Sequence, residues 1–565
     1  MSLPGIRARG AADWPPVRSP ARRRMQREMR RVNDNYDSAM IKTGNQYKNS
    51  EPASRFLRCG GPGPPAYLHG APEPGGPGRR PTEERAGAGR LGRRRRASHA
   101  RRIRIYPGAR ALKPFMKLRI EKAIYGGAGL ARLSGQEAGK AIFVPETLPG
   151  EWIEAEIASD RRGFSAGALQ SVLEPSPHRI QPGCEYFSRC GGCHYQHAAP
   201  AAQLQMKCEI LRETLDRARL PGVGEGIGEI QAIASPPWAY RNRIRLQILS
   251  PVGPDGSGIA LAYRRRGSHA GLPVARCPIA APLLEESMSA LCRLGKEKSL
   301  LRDCEEVELF SGNGPRTLLV SLWARGAAAV SATALRAFAE KLKDAAPDLA
   351  GVGVFAARRE AGAGGRSNPT AGEERLLALW GEPYILYEVC SRPYRVSLRS
   401  FFQVNRFLLE PLQALVAGGR SGATAWDLYA GVGLFAGALN FDEVTAVESS
   451  PPAQADLSAN AGPAGGRIRA VASTALAFLL GRRGKLPIPD LVVLDPPRAG
   501  LGPEIASLLA GCGAGRIVYV SCDPATLARD LQTILRAGYR VRSIHLADMF
   551  PQTFHLESVV ELERT

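Results

Sequence analysis

The sequence reads Leu491-Val492-Val493-Leu494-Asp495-Pro496-Pro497-Arg498 and, shortly downstream, Ile517-Val518-Tyr519-Val520-Ser521-Cys522-Asp523-Pro524. Each stretch is a short apolar run that ends in polar residues and proline, as buried strands of a parallel sheet do. Similar runs occupy 424–428 and 443–447. From 397 onward, strand, Gly-rich turn and helix patterns alternate. This rhythm predicts an α/β domain with a doubly wound, Rossmann-like parallel sheet.

A small-molecule pocket is predicted at the carboxyl ends of these strands, where such sheets bind ligands. Gly431 and Gly433 lie between a strand and a predicted helix, although a tight structural turn explains this pattern equally well. Glu448 ends the next strand, at the position where an acidic residue binds ribose hydroxyls. Because neither a fuller Gly-rich loop nor a lysine is present for phosphates, Glu448 and Asp495 favour S-adenosylmethionine, whose sulfonium is cationic.

Cys522 follows a strand and precedes an Asp-Pro turn, which favours an accessible thiol. A cysteine thiolate that adds to C6 of a pyrimidine makes C5 nucleophilic enough to accept a methyl group. A helix starting near Ala525 is expected to lower the pKa of this thiol. Glu557 is the expected base that removes the C5 proton. The alternatives are a buried core cysteine at 522 and a solvated strand residue at 557.

The 11 cysteines are odd in number and scattered, which favours free thiols and metal ligands over disulfides. Cys184, Cys190 and Cys193 are closely spaced, and Cys277 supplies a fourth thiol from a distant segment. Four thiolates suit a [4Fe-4S] cluster, with structural zinc as the alternative. Zinc ribbons use two Cys-x2-Cys pairs and this chain has one, so the cluster is favoured. The spacing also departs from that of radical enzymes that use S-adenosylmethionine.

Positive charge is concentrated at the N-terminus. Residues 1–115 contain 26 Lys and Arg against 8 Asp and Glu, whereas the rest of the chain contains 50 against 45. This segment is rich in Arg, Pro and Gly, lacks hydrophobic periodicity and is predicted to be unfolded. It is an RNA-binding arm, a targeting peptide or the product of a start assigned too early. A clean strand pattern begins at Met116, which favours the last explanation.

The remaining chain divides into three predicted domains. Residues 116–175 alternate short strands with Gly-rich turns, as an oligonucleotide-binding β-barrel or another small all-β domain does. Residues 176–396 form a mixed α+β central domain that carries the cysteine loop, and 361–372 are predicted to be a surface loop. Residues 397–565 form the doubly wound domain. No apolar run is long enough to span a bilayer, so a cytoplasmic protein without membrane association is expected.

Basic residues of the central domain offer a further prediction. Tyr240, Arg241, Arg243 and Arg245 lie in one strand pattern and combine an aromatic ring with positive charge. They are predicted RNA contacts, and the alternative is a solvated strand face.

With these motifs in view, the chain from Met116 onward resembles bacterial RNA (uracil-5-)-methyltransferases, in particular the RlmD-like branch that modifies 23S ribosomal RNA. Asp495–Gly500 together with Ile517–Asp523 resembles the first signature of the family, and Asp548–Glu557 resembles the second. The resemblance implies that Cys522 is the nucleophile and Glu557 the proton acceptor. Leu434 stands where several relatives have Asn, so one cofactor contact departs from the pattern. Asp523 stands where many members have Asn, and the pattern tolerates either residue.

The resemblance also implies ligands and partners. Contacts to S-adenosylmethionine would come from Gln403, Tyr429, Glu448 and Asp495, and the four cluster ligands would be Cys184, Cys190, Cys193 and Cys277. Residues 116–175 would form a TRAM domain, an RNA-binding barrel. Relatives that act on the tRNA T-loop typically lack both barrel and cluster, so 23S ribosomal RNA is the expected substrate of a monomeric enzyme. A non-catalytic iron–sulfur RNA-binding protein is the main alternative, and a tRNA methyltransferase is another.

Overall fold

The computed structural model describes residues 115–133, 139–221, 228–252, 258–296, 300–326, 330–356, 375–462, 465–484 and 487–565. The described residues all belong to one compact unit. The predicted unfolded extension up to position 114 and the loop predicted at 361–372 lie outside them. Within the described ranges, no helix is both long enough and apolar enough to cross a membrane.

A small, mainly antiparallel sheet begins the described chain. Counting only described residues, it has six strands in the order β1-β5-β6-β4-β3-β2, with β4 and β6 parallel. Alternate residues of a strand, such as Ile142 and Val144, point to the same face and are fully buried there. This alternation is the source of the period-two hydrophobic pattern in the sequence. The predicted small all-β region is therefore present. The strands are β1 (Met116–Arg119), β2 (Lys122–Ala123), β3 (Ala128–Arg132), β4 (Ala141–Pro145), β5 (Trp152–Arg161) and β6 (Phe164–Glu174).

The central region is mixed α and β, as predicted. Its described strands form a sheet ordered β10-β9-β8-β11-β12-β13-β14, in which β12 and β13 are parallel because helix α3 connects them. Strands β15 and β16 pair as a separate hairpin. The elements are α1 (Pro200–Arg217), β7 (Ile230–Ile233), β8 (Arg243–Val252), β9 (Gly258–Arg264), β10 (Gly271–Pro273), α2 (Pro282–Leu294), a 3-10 turn (Leu300–Asp303), β11 (Cys304–Ser311), β12 (Leu318–Ala324), α3 (Ala332–Ala345), β13 (Leu349–Ala356), β14 (Leu376–Gly381), β15 (Tyr384–Val389) and β16 (Arg392–Ser397).

The C-terminal region contains the predicted α/β sheet, with one correction. Its described strands are ordered β19-β18-β17-β20-β21-β23-β22-β7, and the first five are parallel. Strand β23 is antiparallel to both neighbours because the chain returns from β22 without a crossover helix, so the sheet is mixed. The elements are α4 (Leu409–Ala417), β17 (Ser421–Leu428), β18 (Asn440–Glu448), α5 (Pro451–Ala461), β19 (Ile468–Ala472), α6 (Ala475–Arg482), β20 (Leu491–Leu494), α7 (Gly502–Gly511), β21 (Arg516–Ser521), α8 (Pro524–Arg536), β22 (Tyr539–Ala547) and β23 (Glu557–Arg564).

The helix predicted after Gly431 and Gly433, which follow β17, is absent from the described residues 429–439. Positions 431–438 form successive turns instead. Tyr429, Gly431 and Gly433 have φ angles of 64°, 56° and 90°, values of the left-handed region that a right-handed helix excludes. The buried Asp427 carboxylate also accepts a hydrogen bond from the Ala436 amide at 2.8 Å and fixes the turns against the strand.

Two predicted RNA contacts are structural instead. Tyr240 is fully buried, and its hydroxyl donates to the Pro551 carbonyl at 3.1 Å. The Arg243 guanidinium lies over the Phe310 ring at 4.1 Å and donates to the Ser400 carbonyl at 2.6 Å. These side chains join the central sheet to neighbouring segments, so neither RNA contact nor a solvated face describes them.

Helix α1 anchors the segment that leads into β23. Buried Lys207 pairs with Asp548 at 2.6 Å and donates to the Phe550 carbonyl at 2.9 Å. Burial lowers the pKa of Lys207, and the Asp548 carboxylate opposes that shift. Gln203 donates to the Gln552 side chain at 2.9 Å and accepts from its amide at 2.8 Å. Positions 548–556 are thereby fixed to a helix from the central region.

Candidate active site

Four parallel strands bring most of the predicted site residues to one edge of the sheet. Leu428 pairs with Val447 and Leu494, and Leu494 pairs with Tyr519, so the strands end nearly level. The residues at or just beyond these ends are Tyr429, Glu448, Asp495 and Cys522. The carboxyl edge therefore collects side chains that are up to 93 positions apart in sequence.

Gln403 reaches this edge from the segment between β16 and α4. Its side-chain amide donates to the Asp495 carboxylate at 2.9 Å, while Asn242 donates to its backbone carbonyl at 3.1 Å. Burial raises the pKa of Asp495 to about 7, and the hydrogen bond from Gln403 opposes the shift. The structure thus brings Gln403 and Asp495 into direct contact.

Glu448 is held by three backbone amides, one in the glycine turn and two directly after Glu448 itself. Its carboxylate accepts hydrogen bonds from the amides of Gly431 at 2.9 Å, Ser449 at 2.7 Å and Ser450 at 2.6 Å. An ionised carboxylate has about four acceptor positions, so one remains for a ligand hydroxyl. Tyr429, half-buried and left-handed, precedes this turn.

Asp427 is a site residue that the sequence analysis did not single out. It is 1% exposed, and its Oδ1 atom has no hydrogen-bond partner among the described residues. Burial, together with the charges of Asp495 and Glu448, raises its pKa to about 8. An acidic residue within the apolar strand 425–428 was the available signal. Asp427, Glu448 and Asp495 therefore form a cluster of interacting acidic side chains, here called the acidic pocket.

Strand pairing places Cys522 beside Glu557. Strand β21 runs antiparallel to β23 with Ser521 opposite Ser558, and the same register continued by one residue sets Cys522 opposite Glu557. The Ser558 hydroxyl donates to the Ser521 carbonyl at 3.1 Å. Cys522 is partly exposed and Glu557 is only 3% exposed. Cys522 is therefore not a buried core cysteine, and Glu557 is not a solvated strand residue.

The expected low pKa of Cys522 is wrong for the protein without ligands. Burial, together with the charges of Glu557 and Asp495, raises the pKa of this thiol to about 12. Only the Arg498 guanidinium, among the causes of this shift in the described chain, acts in the opposite direction. Without ligands, Cys522 is therefore a neutral thiol at physiological pH.

Asp523 explains why the following helix fails to lower that pKa. Its carboxylate caps α8 by accepting from the amides of Ala525 at 3.0 Å and Thr526 at 2.9 Å. The positive end of the helix dipole is thus neutralised by a carboxylate and not by the thiolate.

The pKa of Glu557 is raised as well. Burial raises its pKa well above the ordinary range, the Asp495 charge adds to this effect, and Arg498 opposes it. The Arg498 guanidinium contacts the His555 ring at 3.3 Å, and His555 packs against Phe554 with ring centroids 4.2 Å apart. Arg498 was quoted in the sequence motif without a role, yet it is the cation that acts on both Cys522 and Glu557.

The four predicted ligand cysteines come together elsewhere in the fold. Cys184, Cys190, Cys193 and Cys277 all line one cavity of about 260 Å³. Burial raises the pKa of the last three thiols, that of Cys193 to about 12. In the part of the chain that the structure describes, no group of three or more His, Cys, Asp or Glu side chains is arranged to hold a single metal ion.

Comparisons with known proteins identify relatives of the chain. The family model described as tRNA (Uracil-5-)-methyltransferase matches residues 488–565. The chain is 30% identical over 478 residues to an uncharacterized RNA methyltransferase of Halalkalibacterium halodurans, covering 79% of this chain and 96% of that protein. It is 31% identical over 458 residues to a 23S rRNA (uracil(1939)-C(5))-methyltransferase RlmD of Pectobacterium atrosepticum, covering 77% and 90%.

A solved structure shares the fold. The tRNA (uracil-54, C5)-methyltransferase of Pyrococcus abyssi, in complex with S-adenosyl-L-homocysteine, superposes with a TM-score of 0.59 at 23% identity. The match covers 79% of this chain and 100% of that one, so the described architecture extends along the whole archaeal protein.

The raised pKa of Cys522 predicts its reactivity. Alkylation by iodoacetamide should be slow at neutral pH and should rise about tenfold per pH unit from about pH 7 to about pH 10, because the thiolate fraction grows by that factor below the pKa. Arg498→Met should slow the reaction further, since it removes the charge that lowers this pKa. Peptide mass spectrometry after timed alkylation measures the rate, with exposed Cys390 as the internal control. A Cys522 rate that levels off near neutral pH would contradict the burial argument.

Proposed function

Because the chain belongs to the RNA (uracil-5-)-methyltransferase family, in its RlmD-like branch, we propose that it methylates C5 of a uridine in 23S ribosomal RNA through a covalent adduct with Cys522. The protein is an S-adenosylmethionine-dependent RNA (uracil-5-)-methyltransferase. The choice of 23S ribosomal RNA is supported by the activity named for the Pectobacterium relative. The observation that carries the mechanism is the register that sets Cys522 opposite Glu557 beside an acidic pocket.

The acidic pocket is proposed as the cofactor site. S-Adenosylmethionine, when bound, supplies an electrophilic methyl group on a positively charged sulfur. Asp427, Glu448 and Asp495 provide the negative potential for that charge, and the free acceptor position of Glu448 suits a ribose hydroxyl. Gln403 holds Asp495 in place, and Tyr429 borders the glycine turn. A positive charge next to Asp495 would also offset one of the charges that raise the Cys522 pKa.

Cys522 is the proposed nucleophile. The target base must leave its stack to reach the strand end, as base-modifying enzymes require. The Cys522 thiol releases its proton to solvent, a loss that the Arg498 charge favours. The resulting thiolate adds to C6, and the electrons of the C5–C6 double bond move toward the C4 carbonyl. C5 then takes the methyl group, and the electron pair of the broken carbon–sulfur bond stays on the donor sulfur.

Glu557 is the proposed base of the final step. Its carboxylate takes the proton from C5, the C5–C6 double bond forms again, and the Cys522 sulfur leaves C6 with its electron pair. Glu557 must be ionised for this role, and Arg498 is the neighbouring cation that favours the ionised form. Its Oε1 atom, which has no hydrogen-bond partner among the described residues, is the acceptor that this step needs.

The small N-terminal sheet is proposed as a TRAM domain spanning 116–175 that contributes to RNA binding. The support is its strand pattern and its order in the chain ahead of the central region at 176–396 and the methyltransferase region at 397–565. A monomeric state and a cytoplasmic location stay predictions.

A [4Fe-4S] cluster is proposed at Cys184, Cys190, Cys193 and Cys277. All four face one cavity, and Arg241 and Arg276 also line it, so positive charge is available to balance an anionic cluster. The Gln196 side chain accepts a hydrogen bond from the Cys184 amide at 3.1 Å and so stabilises the loop that carries Cys184, Cys190 and Cys193. Bound iron would stabilise thiolates that burial otherwise disfavours. The proposed role is structural or in RNA contact.

We expect Cys522→Ala to abolish methylation while S-adenosylmethionine binding stays nearly unchanged, because the nucleophile lies outside the acidic pocket. Methyl transfer to 23S ribosomal RNA fragments and cofactor binding by calorimetry measure the two effects. Cys512→Ala, at a partly buried thiol after α7, is the matched control and should stay active. Loss of both properties in Cys522→Ala would contradict the assigned role. If the wild type forms no denaturant-stable adduct with 5-fluorouridine RNA in the presence of cofactor, a non-catalytic RNA-binding protein is favoured.

Glu557→Gln should permit methyl transfer but stall release, because the amide cannot take the C5 proton. Protein covalently attached to RNA should accumulate and be visible as a shifted band in a denaturing gel. Glu561→Gln, on the same strand but paired with Arg420, is the control and should release its product. Free turnover by Glu557→Gln would exclude Glu557 as the base.

Replacement of a proposed cluster ligand should remove iron. Cys193→Ser should lose most of the four iron and four sulfide expected per chain, together with the visible absorption of the cluster. Cys292→Ser removes a thiol on α2, away from the cavity lining, and should retain both. Iron and sulfide analysis of anaerobically purified protein makes the comparison. Stoichiometric zinc without iron in the wild type would contradict the cluster.

A further inference from the structure

Tyr125 connects the small N-terminal sheet to the catalytic strand end. Its hydroxyl donates to the backbone carbonyl of Cys522 at 3.2 Å, across 397 positions of sequence. Its ring packs edge-on against Phe554, with centroids 5.4 Å apart and an interplanar angle of 87°. Tyr125 therefore contacts both the proposed nucleophile and the segment that leads into Glu557.

The Cys522 carbonyl lies outside the hydrogen bonds of the following helix. Asp523 is the N-cap of α8, and its carbonyl accepts from the Leu527 amide of the first turn at 3.1 Å. Pro524 has no amide hydrogen, and the amides of Ala525 and Thr526 both donate to the Asp523 carboxylate. The Tyr125 phenol therefore supplies a donor to a carbonyl for which the first helical turn offers none.

The turn that carries Tyr125 is shaped for this position. Gly126 and Gly127 have φ angles of 107° and 88°, which glycine adopts without strain. A Cβ atom at Gly127 would lie 3.1 Å from the His194 side chain, so the turn sits closely against the loop that follows Cys193. His194 in turn packs on Phe554 at 4.7 Å. The Phe554 ring thus contacts both Tyr125 and His194.

We propose that Tyr125 is a positioning residue of the catalytic site, whose hydroxyl fixes the Cys522 peptide so that the thiol faces the target base. The inference rests on the proposed role of Cys522 as nucleophile. The preceding carbonyl, that of Ser521, is already held by the Ser558 hydroxyl. With Tyr125 the peptides on both sides of the Cys522 α-carbon are fixed, one from the catalytic sheet and one from the N-terminal sheet. The N-terminal sheet is then part of the catalytic machinery as well as a place for RNA to bind.

Tyr125→Phe tests this proposal because it removes the hydrogen bond and keeps the ring on Phe554. The rate of adduct formation with 5-fluorouridine RNA and the kcat for methylation should both fall about five- to tenfold, the loss expected for one hydrogen bond that positions a nucleophile. The KM for RNA and the affinity for S-adenosylmethionine should stay within about twofold.

Tyr539→Phe is the matched control. Its hydroxyl also donates to a backbone carbonyl, that of Ala514, at 2.8 Å, but at the opposite end of the strands. Both variants should lose a similar amount of thermal stability, and only Tyr125→Phe should lose kcat. An unchanged kcat in Tyr125→Phe, or a change confined to the KM for RNA, would overturn the positioning role alone. Failure of the wild type to form any adduct would overturn the nucleophile and, with it, this proposal.

Discussion

The antiparallel pairing of β21 with β23 is the constraint on which the catalytic geometry depends. Strand β21 has a parallel neighbour on one side, and β23 fills the other side in the opposite direction. The first residue of β23 therefore lies beside the residue that follows β21. Because a strand register is set by the whole ladder and its buried face, the relation between Cys522 and Glu557 is fixed by many apolar contacts instead of by a flexible loop.

Packing outside the sheet preserves this relation. The segment at 548–556 connects β22 to β23, and a loop of this length without regular structure could shift the start of β23. Helix α1 prevents this through the buried Lys207–Asp548 pair and the paired glutamines, while the His194 and Tyr195 amides donate to the Gln552 carbonyl at 2.8 and 2.9 Å. The loop that carries Cys193 and the segment at 548–556 are consequently neighbours, although they lie far apart in sequence.

Much of this organisation could be predicted from the sequence because strongly apolar runs with polar ends are local signals. The strands at 424–428, 443–447, 491–494 and 517–520 are present, and their ends bring Tyr429, Glu448, Asp495 and Cys522 together. The errors arose where long-range packing decides the outcome. Burial of Tyr240 and Arg243, the turns after Gly431, and the pKa of Cys522 depend on partners that no local pattern reveals. Tyr125 was missed for the same reason, since its acceptor lies in another sheet.

The acidic pocket also affects how the spent methyl donor is released. The charges of Asp495 and Glu448 raise the pKa of Asp427, so a cation among these three groups would favour their ionised forms. Once the methyl group has departed, the donor sulfur is an uncharged thioether, and the attraction that favoured the fresh donor disappears. In the proposed site, electrostatic attraction therefore contributes less to binding of the spent donor than to binding of its precursor.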